Sequence, residues 1–147
     1  MRIMGLDYGA KTVGVALSDP LGFTAWPLET ITRESEKKLR RTLARLEEIV
    51  QEYQVGSIIL GYPLNMDGSV GERACKSLEF KTKLENRLKI PVIMQDERLT
   101  TVAADEVLEE MKVPRSERKQ YIDKIAAAYI LEDYMSSIQE NNNGKGR

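Results

Sequence analysis

The sequence has no histidine in its 147 residues and a single cysteine, Cys75. The first absence excludes Ser-His-Asp triads, histidine general bases, HExxH zinc sites and imidazole pH switches. The second excludes an internal disulfide framework and any CxxC zinc or redox motif. Aromatic residues are scarce at 6%, and no apolar run approaches the ~18 residues that a membrane span needs. Residues 1–20 are broken by Arg2, Asp7, Lys11 and Asp19, so no signal core is expected there. A lone thiol without an export signal points to the reducing cytoplasm, away from membranes. Chemistry must therefore rest on carboxylates, hydroxyls, lysines or backbone.

Net charge is also nearly absent: 22 Lys+Arg oppose 23 Asp+Glu, for a formal −1. That balance conceals polarity. Arg33, Lys37, Lys38, Arg40, Arg41 and Arg45 outweigh Glu34 and Glu36 by four charges, so the remainder sums to −5. A basic face on the first helix could follow a phosphate backbone with salt-dependent affinity. It reads equally as a solvated face laced with ion pairs.

What is present is a strand-rich start followed by alternation. Arg2–Tyr8 and Thr12–Ser18 are short apolar runs divided by Gly9-Ala10-Lys11, the pattern of a hairpin. Phe23–Thr32 is a third extended stretch, and Pro27 within it predicts an edge strand or a bulge. Leu39, Leu43, Leu46, Ile49 and Tyr53 then recur at helical spacing, with charges between them from Glu34 to Glu52. Ser57–Leu60 reads as a buried strand, Leu64–Gly71 as a loop, and the segment carrying Ala74, Leu78, Phe80, Leu84 and Leu88 as a helix. Ile90–Met94 is another strand, followed by helices over Thr101–Met111, with Thr100 as N-cap, and Ser116–Ile138. Pro114 divides the two. The order β-β-β-α-β-α-β-α-α predicts an α/β fold: a mixed five-stranded sheet, antiparallel at first and then parallel, flanked by helices. One domain over residues 1–138 is expected, with a polar, glycine-bearing and disordered tail over 139–147.

Three carboxylates occupy unusual places. Asp7 lies in a strand that otherwise reads Ile3, Met4, Leu6, between Gly5 and Gly9. Burial of such a group is costly unless it is paired or bound to a cation. Asp96 and Glu97 end a buried strand, where sites form in open α/β sheets. Asp123 shares a helix face with Ala126, Ala127 and Ile130. Each alone has a plain reading: a turn Asp, a solvated acidic pair, a helix-surface ion pair with Lys119. If the first, fourth and fifth strands are neighbours, however, Asp7, Glu97 and Asp123 share one pocket. Clustered like charges require compensating cations, and an oxygen-only ligand set favours Mg²⁺ or Mn²⁺, in the two-ion arrangement that hydrolyses phosphodiesters. Asp96 is the candidate for a fourth acid.

The residues Gly5-Leu6-Asp7-Tyr8-Gly9-Ala10-Lys11-Thr12-Val13-Gly14-Val15-Ala16 resemble the opening motif of the YqgF (RuvX) family. Gly61 through Ser69, Asp96 through Thr101, and Lys119 through Leu131 are similar to its second, third and fourth motifs. The four fall in the family's order across residues 5–131. Thr12 and Val70 depart from it, standing where many members carry Arg and an acid. The resemblance implies an RNase H-like fold and a nuclease that matures the 5′ end of pre-16S rRNA or resolves Holliday junctions. It assigns catalysis and metal binding to Asp7, Glu97 and Asp123.

Several residues are candidates for contact with nucleic acid, either precursor rRNA or branched DNA. Asn65 belongs to a polar loop before a helix, which could receive a phosphate or could be a plain Asp-Gly turn. Lys11, Arg98, Lys119 and Lys124 lie nearer the acids in sequence. Symmetric junction cleavage would need a homodimer, whereas trimming an RNA end would not. Two other readings compete. One is a non-catalytic RNase H-like module that binds nucleic acid or protein. The other is a sugar-kinase-type ATPase with a similar Gly-x-Asp-x-Gly hairpin, for which 147 residues are too few to hold two domains.

Overall fold

Alternating apolar residues around a glycine turn make the first two strands a hairpin. In the computed structural model, β1 (Arg2–Tyr8) and β2 (Thr12–Ser18) pair antiparallel, from Met4 opposite Leu17 to Tyr8 opposite Val13. Backbone is described for residues 1–97 and 100–145, and side chains for all of these except 100–103, 119, 120 and 139–145. The hairpin turn closes with the Gly9 N–H donating to the Thr12 carbonyl at 2.7 Å. β3 (Ala25–Thr32) then pairs antiparallel with β2 at the edge of the sheet. Pro27 is tolerated there for the expected reason, since an edge strand has no partner on its outer side. The register also shifts, from Val15 opposite Glu29 to Ala16 opposite Pro27, which leaves Leu28 as a bulge residue.

The chain continues through α1 (Arg40–Tyr53), β4 (Val55–Tyr62), α2 (Glu72–Leu88), β5 (Val92–Asp96), α3 (Thr100–Glu110) and α4 (Arg115–Lys145). The sheet order is β3-β2-β1-β4-β5, with β4 parallel to β1 and β5 parallel to β4. This is the mixed five-stranded sheet expected from the sequence, with the first, fourth and fifth strands adjacent.

Some boundaries differ from the sequence reading. α1 starts at Arg40, not near Glu34, because Leu39 is the first residue of the stripe with anything to bury; helix turns without a packed face are marginal. Ser57–Leu60 extends to Val55–Tyr62, since neighbours on both sides complete its ladder. α4 begins at Arg115 and runs through residues 139–145, the stretch expected as a disordered tail. Propagation from the preceding turns adds one hydrogen bond per residue, which outweighs the weak propensity of Asn and Gly.

Strand parity divides the sheet into two faces. Met4, Leu6, Tyr8, Val13, Val15, Ile58, Leu60 and Val92 face α1 and α2, where Leu46, Ile49, Phe80 and Leu84 complete the larger core. Ala16 and Ile59 face α4 and meet Ala127, Ala128, Ile130, Leu131 and Met135. On that second side the helix backbone lies almost against the strands. A Cβ at Gly14 would overlap the Asp123 carbonyl, and one at Gly5 would lie 2.7 Å from the Ala127 carbonyl oxygen. Among the described residues no helix is long and apolar enough to cross a membrane.

The Gly14 contact is backbone against backbone and has no flexible end to yield. Gly14→Ala should therefore lift α4 and cost about 2–3 kcal/mol or more, read as a lower urea midpoint. A variant with wild-type stability would show that α4 does not press on β2 this closely.

Candidate active site

Parity also decides which acids can meet. Asp7 is one residue past Leu6, whose parallel partner on β4 is Leu60, so Asp7 is level with Gly61. Both stand on the α4 side of the sheet. Gly61 leaves open the space that Glu97 fills: a Cβ there would lie 2.6 Å from the Glu97 carboxyl carbon and 2.7 Å from its Oε1. Glu97 follows β5 directly, is 8% exposed, and is tied to β4 by its N–H donating to the Tyr62 carbonyl at 3.2 Å. Its carboxyl lies close enough to Asp7 to pull the Asp7 pKa down.

Asp123 comes to the same place from α4, because the close seat at Gly14 brings that turn onto the sheet. Its charge is felt by Asp7. Burial chiefly, then the Asp123 charge, push the Asp7 carboxyl up from 3.8 to about 6, while the Glu97 hydrogen bond and the charge of Arg73 pull it down. A group in this position is relieved either by a proton or by a cation. The donors are all carboxyl oxygens, which suits Mg²⁺ or Mn²⁺ better than zinc. As the side chains lie, no three acids among the described residues are gathered tightly enough to enclose an ion. Asp7 and Glu97 form the nucleus, and Asp123 acts on it through its field.

Asp96 does not join them. It alternates with Glu97 and so belongs to the α1/α2 side with Val92 and Met94, and it is exposed. The fourth-acid expectation is corrected by strand parity alone.

The expected substrate contacts are scattered. Lys11 is exposed in the β1–β2 turn, two residues beyond Gly9. Lys124 lies 5.2 Å from the Tyr121 ring centre and lines a hollow with Thr12, Glu29 and Thr30. Asn65 serves its own loop: its Nδ2 donates to Ser69 Oγ at 2.9 Å and its N–H to the Ser69 carbonyl at 2.9 Å. Asp67 Oδ1 braces the same serine at 2.6 Å. The plain turn reading accounts for these bonds. Arg98 lies outside the described residues, as does the Lys119 side chain. Thr12, standing where an arginine was expected, lines a hollow with Asp123, Arg115 and Arg118.

Comparison with known proteins places this geometry. The RuvX family, described as Holliday junction resolvase, matches residues 1–137. The chain belongs to the RuvX family. It is 60% identical to a protein of Lachnospira eligens over 95% of this chain and all of the other. With one from Agathobacter rectalis it shares 51% identity over 96% and 99% of the two chains. Both are named "Putative pre-16S rRNA nuclease". Among solved structures, Thermus thermophilus RuvC in complex with a Holliday junction substrate superposes with a TM-score of 0.57 at 15% identity, over 94% and 96% of the chains. The fowlpox virus Holliday junction resolvase gives 0.56 at 20% identity, over 93% and 99%. These likenesses establish the fold, an α/β architecture shared with RuvC-like resolvases.

Of two arginines beside the acids of this RuvX-family chain, Arg73 was not singled out from sequence and Arg33 was read only as part of the basic run. Arg73 lies in the first turn of α2 and acts electrostatically on Asp7. Arg33 follows β3 and donates from Nη2 to the Gly9 carbonyl at 2.6 Å. A usable signal existed for Arg73. A cation in the first turn of a helix opposes the macrodipole, so its presence there asks for another use.

Asp7 gives a pH test. Its folded pKa of about 6 exceeds the ordinary 3.8, so the metal-free folded state holds the proton more tightly than the unfolded chain. This contribution favours folding below pH 4 and is lost as pH rises through 6, by an amount on the order of 3 kcal/mol. Without metal, Asp7→Asn should be more stable than wild type at pH 7.5, with the gap closing near pH 4 in thermal melts. A gap independent of pH would contradict the burden placed on Asp7.

Proposed function

We propose that this RuvX-family chain is a metal-dependent endonuclease of structured nucleic acid, with the 5′ end of precursor 16S rRNA as its main substrate. The observation that carries the reading is the half-buried Asp7 beside the buried Glu97 over Gly61, with Asp123 bearing on them. In this reading Asp7, Glu97 and Asp123 hold Mg²⁺ or Mn²⁺, two ions in the full assembly. Bound there, the divalent ions supply positive charge to the scissile phosphate and make water nucleophilic near neutral pH. The protein's own part is positional. Glu97 is fixed by its backbone bond to Tyr62 and by the lack of a side chain at Gly61. Asp7 is fixed by the β1 ladder, and Asp123 by the seat of α4 on β2. With no histidine in the chain, no imidazole competes for the role of base.

RNA is preferred over branched DNA because the full-length relatives at 60% and 51% identity carry an rRNA-nuclease name. The resolvase likenesses, at 15% and 20% identity, speak to fold. The exposed free thiol of Cys75 suits a cytoplasmic location. A second reading, an RNase H-like binding module without catalysis, draws on the wider placing of the third carboxylate. Calorimetry with Mn²⁺ separates the two: tight nucleic-acid binding with no metal binding at millimolar Mn²⁺ selects the module.

The decisive measurement maps cleavage of a precursor rRNA fragment and of a four-way DNA junction while Mg²⁺ and Mn²⁺ are titrated. Wild type should cut the RNA at a defined position, and Asp7→Asn should lower the rate by about a thousandfold or more while remaining folded. Equal cutting by both proteins would mark the activity as contamination. Gly61→Ala pushes on the Glu97 carboxyl and on Ile130 Cδ1, at 2.7 Å, so it should weaken metal affinity about 10–100-fold with the fold retained. Unchanged metal affinity in that variant would remove Glu97 from the ligand set.

A further inference from the structure

Among the described residues, three guanidinium nitrogens are buried without a hydrogen-bond partner: Nε and Nη1 of Arg33, and Nη2 of Arg73. Charged donors shut off from water and left unmade are among the costliest features a fold can keep. Both arginines gather on one ring. The Cζ atoms of Arg33 and Arg73 lie 4.9 and 5.7 Å from the centre of Tyr8, which itself stacks on Phe80 at 4.2 Å. The guanidinium groups are held from behind. Arg33 is tied to the β1–β2 turn through Gly9, and its own N–H donates to the Lys11 carbonyl at 2.8 Å. Arg73 is tied through Nη1 to Glu36 Oε1 at 2.7 Å. Glu36 occupies one nitrogen of Arg73, which leaves the three buried nitrogens of the two cations without an acceptor. That is a site prepared for an anion with several acceptor oxygens.

The site is beside the acids. Tyr8, under both guanidinium groups, directly follows Asp7. On its other side Arg33 borders a cavity of about 810 Å³ that also carries Lys37, Lys38, Arg40 and Arg41. Lys38 is paired with Glu34 at 2.8 Å, whereas Lys37, Arg40 and Arg41 form no ion pair among the described residues. A strand whose one phosphate meets the acids can therefore continue along a basic path.

We infer that Arg33 and Arg73 form a clamp over Tyr8 for a nucleic-acid phosphate, and that Glu36 holds the Arg73 arm in the free protein. The inference rests on the nuclease reading for the identity of the ligand, not for the geometry. The ligand is a phosphate group, either an internal diester or a terminal monoester of the bound strand. Glu36 acts as the resident anion, so incoming phosphate competes with it. This gives two substitutions with opposite signs.

The test measures binding of a fluorescein-labelled precursor-rRNA stem by fluorescence anisotropy, in EDTA so that nothing is cleaved, across a salt series. Arg73→Gln should raise Kd about 5–10-fold and reduce the slope of log K against log[salt] by about 0.7–0.9, the loss of one phosphate contact. Glu36→Gln should lower Kd several-fold. Arg33→Lys should keep the slope and weaken binding, because the charge stays while the fork is lost. Thermal melts within about 2 °C of wild type show that each variant is folded. Wild-type affinity and slope in both Arg73→Gln and Glu36→Gln overturn the clamp, as does equal weakening in both, which reports a structural ion pair. Total absence of binding overturns it too. Repeating the series with a 5′-phosphorylated and a dephosphorylated strand separates the sources. An effect on both identifies an internal diester, and an effect confined to the phosphorylated strand a terminal monoester. Cleavage assayed in parallel in Mg²⁺ keeps the readings apart: wild type that binds without cutting sinks the nuclease, while the Glu36 and Arg73 signs still decide the clamp.

Discussion

The close seat of α4 on the sheet is the constraint on which the site depends. Helix and strand axes normally stand about 10 Å apart, with side chains between them. Here Gly5 and Gly14 on the strands meet the backbone at Ala127 and Asp123, so the spacer layer is missing over that turn. The short side chain of Asp123 can then bear on Asp7. The apolar contacts of Ile130, Leu131 and Met135 with Ile59 and Ala16 hold the helix in place around that point. Anything that thickened the interface would separate the acids while leaving the larger core, on the opposite face, intact.

Within that frame the carboxyls are held in an arrangement the chain alone does not favour. Asp7 is half-buried, repelled by Asp123 and pressed close to the Glu97 carboxyl. The chain keeps this cost local. Gly61 removes the one side chain that would push Glu97 away, and Arg73 adds a positive charge from the side. The field beside the acids thus comes partly from a helix lying on the far face of the sheet, reaching round the strand ends. Acids from one face and arginines from the other converge at the carboxyl ends of the strands, where two parallel strands and a hairpin turn all stop.

The charge distribution reads differently once the chain is folded. The basic run from Arg33 to Arg45 is not one helix face, since Arg33, Lys37 and Lys38 precede α1. Arg45 is neutralised by Glu29 at 2.6 Å and Glu48 at 3.0 Å. Some of the run is thus a solvated ion-pair lattice, and some borders an open cavity. Sequence placed the charges without showing which were already satisfied, because their partners come from β3 and from one helical turn away. In the same way Asp96, offered as a fourth acid, ends β5 opposite Tyr62, whereas Glu97, just past the strand, fills the space over Gly61.

Sequence by itself determined the order of elements, the mixed sheet, an edge or bulge at Pro27 and the identity of three unusual acids. These follow from local rules: period-2 and period-3.6 patterns, turn chemistry, and the cost of a carboxylate in an apolar strand. The four ordered motifs carried the family as well. Tertiary structure alone decided how near the acids stand, which of Asp96 and Glu97 faces α4, where α1 begins, and that Arg33 and Arg73 meet over Tyr8. Those outcomes depend on contacts between residues as far apart as Gly14 and Asp123, or Arg33 and Arg73. No local pattern encodes such distances, since they are fixed by how closely two glycine-bearing strands admit the backbone of a helix.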